Sequence, residues 1–220
     1  MEDQVTAGWH WRDTQRGRFR VHDDDWLSNR DLHDRGYNSL LHKYLARRRW
    51  RQVIDAGANT GQSLVMFAPY CDHVISVEPV PELFTQLELT ATENCIDHCD
   101  LVNRALWHKP DQLRMHYTPT NTLASRVDDT GNIEVAAITI DQLQLQPDLI
   151  KVDCEGSDLK VLLGAENTVR RTRPWLLLEM KQEIQPTKHI EQWLHLHQYQ
   201  PDPAFAPGRG RNVIFQPQVV

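Results

Sequence analysis

The chain has 220 residues, 40% of them apolar and seven of them tryptophan, enough to fill the core of one large α/β domain. Its formal charge of −6 argues against a general nucleic-acid binder, because affinity for a phosphate backbone comes from clustered Lys and Arg. No apolar stretch approaches the roughly 20 residues that cross a bilayer, the four cysteines lack C-x-x-C spacing, and Met1-Glu-Asp-Gln opens without a leader's apolar core, so a reducing cytoplasm is the expected setting.

Residues 1 to 30 mix Asp, Arg, His and Trp without sustained periodicity and include Arg16-Gly-Arg-Phe-Arg20 and Asp23-Asp-Asp25. We expect an irregular arm over residues 1 to 35. It reads either as a polar extension pinned by a few aromatics, or as a lid or substrate-contacting segment carrying Trp9, Trp11, Trp26 and histidines. A single domain then fills residues 36 to 220. Residues 36 to 50 have helical spacing, with Leu40, Leu41, Tyr44 and Leu45 on one face. Arg47-Arg-Arg49 at the C-terminal end complements the helix dipole and needs no nucleic acid to explain it.

Val53 and Ile54 suit a buried strand with Asp55 at its carboxyl end, and Gly57-Ala-Asn-Thr-Gly61 supplies a turn where backbone can approach a ligand closely. The spacing satisfies neither the G-x-G-x-x-G dinucleotide fingerprint nor the G-x-x-x-x-G-K-[ST] phosphate loop. Taken alone it could equally be a structural strand-to-helix turn. Leu64, Val65, Phe67 and Ala68 follow as a short buried helix that Pro69 stops. Val74-Ile-Ser-Val-Glu78 is a second strand ending in an acid, close to the roughly 20-residue offset at which a carboxylate can hold two ribose hydroxyls. That offset is the stronger of the two signals.

Leu83, Leu87 and Ala91 mark an amphipathic helix over residues 81 to 94, and Asp100-Leu-Val-Asn103 a third strand. The order β-α-β-α-β signals a parallel, doubly wound sheet. Asn103 and Ala105, just beyond that strand, are candidates to edge an adenine ring. Cys95, His98 and Cys99 lack a second ligand pair at zinc spacing and read as ordinary side chains. Residues 111 to 140 break the alternation: Leu113, Met115 and Tyr117, then Ile133, Val135 and Ala137, flank an Asp128-Asp-Thr-Gly131 turn. A hairpin-like insertion is expected there, with Asn121, Ser125 and Arg126 either facing a substrate or supplying plain loop polarity.

Asp148-Leu-Ile-Lys-Val-Asp153-Cys-Glu155-Gly156 gives a fourth strand. Lys151, Asp153 and Glu155 alternate, so as strand residues they would project to one side. Charges on a central strand must pair, bind metal or face a cleft; the cleft is favoured. Ser157 or Asp158 could cap the next helix. Pro174-Trp-Leu-Leu-Leu-Glu179 is a fifth strand, and a helix from Thr187 turns Ile190, Trp193 and Leu194 inward. Residues 198 to 200 and 212 to 215, joined around Pro207-Gly-Arg-Gly210, would close the sheet as an antiparallel hairpin of its sixth and seventh strands.

Val53-Ile-Asp-Ala-Gly-Ala-Asn-Thr-Gly61 resembles the D-x-G-x-x-x-G loop of class I methyltransferases. With Val77-Glu-Pro79, Asn103-Arg-Ala105, Leu149-Ile-Lys-Val-Asp-Cys-Glu-Gly156, Leu162-Leu-Gly-Ala165 and Arg173-Pro-Trp-Leu-Leu-Leu-Glu179, the chain from about residue 50 to 217 resembles FkbM-type methyltransferases. The resemblance implies a class I methyltransferase fold, Rossmann-like: a mostly parallel seven-stranded sheet with helices on both faces and a terminal antiparallel hairpin. It also implies S-adenosylmethionine as methyl donor and a hydroxyl acceptor on a sugar or small natural product. Asp55, Gly57, Asn59, Gly61 and Glu78 become the cofactor positions, with Asn103 and Ala105 beside them. Asp153 and Glu155 face the substrate, with Lys151 as a third catalytic candidate.

Methyl transfer to oxygen is an in-line displacement assisted by a general base, for which Asp153 is the first choice. Glu155 could share that role or, with Asp153, hold magnesium or calcium. The expected partner is a carbohydrate or nucleotide-linked sugar; Arg16, Arg18 and Arg20 leave room for phosphate. A nicotinamide or nucleotide-sugar oxidoreductase would want the tighter glycine fingerprint. A nucleic-acid methyltransferase would want a basic groove and Pro-Pro-aromatic after the fourth strand, and a silent binding module would lack the acids.

Overall fold

The computed structural model describes residues 7–14, 17–25, 35–180, 187–205 and 212–218. Its first elements correct the expected irregular arm. β1 (Trp9–Thr14) and β2 (Gly17–His22) pair antiparallel in register Trp9 to His22. Phe19 and Val21 alternate with arginines and are buried, as is Trp9. Arg20 is buried with them because its guanidinium donates to Gln86 Oε1 and to the Trp9 carbonyl, so one strand carries three consecutive buried residues and hides its period. Trp26 and Arg16 lie outside the described residues.

α1 (Arg35–Leu45) ends before the arginine run, and Trp50 already opens the central strand β3 (Trp50–Ala56). Arg48 is held by stacking, 3.9 Å from the Trp50 ring centroid and 3.6 Å from that of Trp175. After α2 (Gln62–Phe67) come β4 (Cys71–Val77), α3 (Pro81–Glu93) and β5 (Cys99–Val102). The chain then leaves the main sheet for β6 (Ala105–Leu106), β7 (Asp111–His116), β8 (Arg126–Val127) and β9 (Ile133–Ile138). The expected hairpin is therefore the β7–β9 pair inside a four-stranded sheet of order β6-β9-β7-β8, in which β6 runs parallel to β9.

The chain returns through β10 (Leu149–Val152), α4 (Asp158–Leu163), α5 (Glu166–Thr172), β11 (Trp175–Glu179), α6 (Thr187–Leu196), β12 (Tyr199–Pro201) and β13 (Asn212–Pro217). The main sheet has the order β12-β13-β11-β10-β3-β4-β5. It is mixed: β11, β10, β3, β4 and β5 are parallel neighbours, and β13 pairs antiparallel with both β11 and β12. The turn expected at residues 207 to 210 lies outside the described residues. Ser157 stands at the N-cap of α4 without a side-chain cap bond.

Alternation along the parallel strands fills both faces of the sheet, as strands covered on two sides require. Ile54, Ile75, Ile150 and Leu176 pack with Val161, Val169 and Trp193 of α4, α5 and α6. Val53, Val74, Leu149 and Leu177 pack with Leu45, Leu64 and Leu87 of α1, α2 and α3. Among the described residues no helix is long and apolar enough to cross a membrane.

Candidate active site

The carboxyl ends of the parallel strands open onto a cleft of about 710 Å³, within the size range of small-molecule sites. Its floor begins at the turn after β3. Gly57 has φ +78° and Gly61 φ +99°, a region L side chains avoid. A Cβ on Gly57 would sit 2.1 Å from the backbone oxygen of Asp153, so this glycine lets the β3 and β10 turns touch. Asn59 also takes a left-handed conformation, φ 51°, and its Oδ1 accepts from Thr60 N.

Glu78, immediately after β4, is 4% exposed. Its Oε2 accepts from Asn59 N and its Oε1 from Val80 N, both at 2.9 Å. Burial raises its carboxyl to about 7, against the lowering effect of those two backbone donors and of the Lys151 charge. Asn103 Nδ2 donates to the carbonyls of Glu78 and Pro79, which fixes the backbone behind the acid, and Ala105 lines the cleft.

Asp55 has a different place from the one its strand-end position suggested. It is fully buried and does not line the cleft. Its register partner across β3 and β10 is Lys151, whose Nζ lies 3.0 Å from Asp55 Oδ1 and donates to the Gly57 carbonyl at 2.9 Å. Ser63 Oγ donates to the other Asp55 oxygen at 2.8 Å. Burial opposes the Lys151 charge, but Asp55 and Asp153 outweigh it and hold the ammonium above its ordinary pKa. The pair thus ties the glycine turn to β10 from below.

β10 ends at Val152, so the shared-side argument applies to Lys151 alone. Asp153 follows the strand, and Glu155 (φ 45°) with Gly156 (φ 95°) forms a left-handed turn that brings its carboxylate back over the strand ends. Asp153, Glu155 and Glu179 each offer an oxygen within 4.8 Å of the others. Asp153 Oδ1 is buried and accepts no hydrogen bond, and the same holds for Asn121 Oδ1 on the insertion; both residues line the cleft. Burial pushes the Cys154 thiol well above its ordinary value, with Asp158 adding to the effect, which leaves it a poor nucleophile.

Sequence reasoning brought Glu78, Asp153 and Glu155 to one place and named Glu179 only as a strand-end acid. It missed Asp25 and Thr122, which join the arm to the insertion: Asp25 Oδ2 accepts from Thr122 Oγ1 at 2.6 Å and Thr122 N at 3.0 Å. Nothing in the Asp23-Asp-Asp25 run marks which acid is buried. Ser125 lines the cleft, whereas Arg126 is exposed and pairs with Asp128.

Comparison with known proteins bears on the family and the fold. A family model described as the methyltransferase FkbM domain matches residues 55–201. The crystal structure of a methyltransferase FkbM from Methylobacillus flagellatus KT is 14% identical with a TM-score of 0.56, covering 87% of this chain and 60% of that one. A methyltransferase from Geobacter sulfurreducens is 13% identical with a TM-score of 0.51, covering 100% and 92%. M. jannaschii TYW2, solved in complex with AdoMet, is 9% identical with a TM-score of 0.50, covering 96% and 87%. At such identities these likenesses show a shared fold. No curated protein sequence matches the chain.

Proposed function

Because the chain belongs to the FkbM family of methyltransferases, we propose that it transfers a methyl group from S-adenosylmethionine to a hydroxyl on a carbohydrate or similarly polar small molecule, nucleotide-linked sugars included. One observation carries the reading. The Glu78 carboxylate and Asp153, whose buried Oδ1 accepts no hydrogen bond, line the same cleft as the glycine turn. After bonding Asn59 N and Val80 N, the two Glu78 oxygens keep lone pairs that a ribose diol can fill. The donor supplies an electrophilic methyl on a sulfonium. With the donor bound, Asp153 would accept the proton that the acceptor hydroxyl loses, and the donor would give up its methyl to that oxygen and depart as a neutral thioether. Glu155 orients the same hydroxyl, while the Lys151–Asp55 pair keeps the turn in position.

Asp153→Asn should lower turnover by roughly 10²-fold or more while S-adenosylhomocysteine binds nearly as before. Equal loss of stability and of product affinity would make Asp153 structural instead. A metal-assisted form of the reaction is favoured by the third acid, Glu179, beside Asp153 and Glu155, because clustered carboxylate oxygens suit magnesium or calcium. Turnover that survives a chelator would sink that form alone. Labelled-methyl transfer across nucleotide sugars, free glycans and oligonucleotides identifies the acceptor class, and label in oligonucleotides alone would overturn the carbohydrate reading. A cytoplasmic setting, and an arm over residues 1 to 35 that closes on a domain of residues 36 to 220, belong to the same proposal.

A further inference from the structure

Among the described residues Arg20 is a cation without an ion-pair partner in a wall otherwise rich in acid. It is 5% exposed and lines the cleft. Its Nε donates to Gln86 Oε1 at 3.1 Å and its Nη2 to the Trp9 carbonyl at 3.0 Å, both neutral acceptors. A guanidinium has five N–H donors, so these two bonds leave part of the fork unused. Among the described residues no carboxylate lies within 4.0 Å of it; its strand neighbour Arg18 does have such partners, Asp13 and Glu93. Burial accordingly lowers the Arg20 pKa, and Asp23, an exposed acid bonded to His10, is the compensating charge.

Burying a cation this far is costly unless a counter-charge arrives. Its position is set rather than accidental. Arg18 N donates to Asn94 Oδ1, Asn94 Nδ2 returns a bond to the Arg18 carbonyl, and Trp9 Nε1 donates to Glu82, so β2 is fastened along α3. The Trp11 ring lies under the guanidinium, 5.1 Å from its carbon to the ring centroid, and takes the Arg18 guanidinium at 5.4 Å as well. A forked, desolvated, pre-oriented guanidinium is the group that binds carboxylate or phosphate best.

We propose that Arg20 is the anion-binding residue of the cleft, taking a carboxylate or phosphate group of a bound ligand. This rests on the reading of the cleft as a methyltransferase site. Two ligands could bring the anion: the amino-acid end of the methyl donor, or a phosphate on the acceptor. The reach of the fork is the same for either.

Calorimetry on the full chain, with Arg20→Gln and Arg20→Lys beside the wild type, tests it. The probes are S-adenosylhomocysteine, 5′-methylthioadenosine, which has the nucleoside thioether without the carboxylate, and pyrophosphate. If the donor's carboxylate is held, Arg20→Gln weakens S-adenosylhomocysteine roughly 10-fold or more and leaves 5′-methylthioadenosine unchanged. If an acceptor phosphate is held, both thioethers bind as before and pyrophosphate binding is lost. Arg20→Lys keeps the charge without the fork; it should retain part of the affinity that Arg20→Gln loses, and it is also the variant to read where Arg20→Gln fails to fold. Equal losses in the two variants would mean that Arg20 only fastens the arm, and would overturn the proposal. So would unchanged affinity for all three probes. A wild-type protein that binds pyrophosphate through Arg20 but neither thioether would keep the anion site and sink the methyl-donor reading.

Discussion

Glu78 carries the most chemistry per atom in this cleft. Burial raises its carboxyl to about 7, so in the ligand-free protein its stabilising contribution is full below the unfolded value and is lost as pH rises from there through about 7. A ligand that donates hydroxyls to this carboxylate favours the ionised form. Binding of S-adenosylhomocysteine at about pH 7 should therefore release protons, and affinity should rise between about pH 6 and about pH 8. Calorimetry in two buffers of different ionisation enthalpy measures the release directly, and Glu78→Gln should abolish it. Identical heats in both buffers would show that the ligand does not touch Glu78. This residue was legible from the sequence because one offset from the glycine turn fixes it. Asp55 was legible as a strand-end acid but not as a buried one, since its partner Lys151 arrives from a strand far along the chain.

At the scale of elements, β3 and β10 meet through that pair. Removing one member of a buried ion pair leaves the other charge stranded, at a cost of about 3–5 kcal/mol. Lys151→Met should therefore lower the urea midpoint strongly, and Asp55→Asn should as well. The double variant Asp55→Leu with Lys151→Met should recover part of the stability, yet still bind S-adenosylhomocysteine poorly, because the Gly57 carbonyl has lost its donor. Recovery of both together would mean the pair has no bearing on the turn. The β-α-β order was readable because the buried strands carry short apolar runs, Val53-Ile54, Val74-Ile75, Leu149-Ile150 and Leu176-Leu177-Leu178, between stretches of helical spacing. The second sheet was not, because β6 and β8 have two residues each, too few to show a period. The β10 reading overran for a similar reason: Asp153-Cys-Glu155 alternates like a strand, and only the left-handed Glu155 and Gly156 reveal the turn.

Across the whole molecule, the cleft is closed by parts that are distant in sequence. Asp25 is fully buried, and its carboxylate bridges 97 residues to Thr122, joining the segment after β2 to the loop between β7 and β8. Such a contact has no signature in local periodicity, so the clasp could not be read from the sequence while the sheet beneath it could. Each residue lines the cleft, so the clasp spans the ligand space rather than the protein core. Asp25→Ala removes a charge-assisted acceptor from two donors, a local loss of about 1.5–3 kcal/mol. Amide exchange should accelerate in β1, β2 and residues 119 to 127, while β3, β4 and β10 keep their protection. Release of S-adenosylhomocysteine, followed by stopped flow, should quicken in the same variant, because an opened wall lowers the barrier to exit more than it weakens contacts at Glu78. Faster exchange with an unchanged release rate would assign the clasp to stability and leave the cleft without a moving wall. Unchanged exchange would show that the clasp does not hold the arm in place.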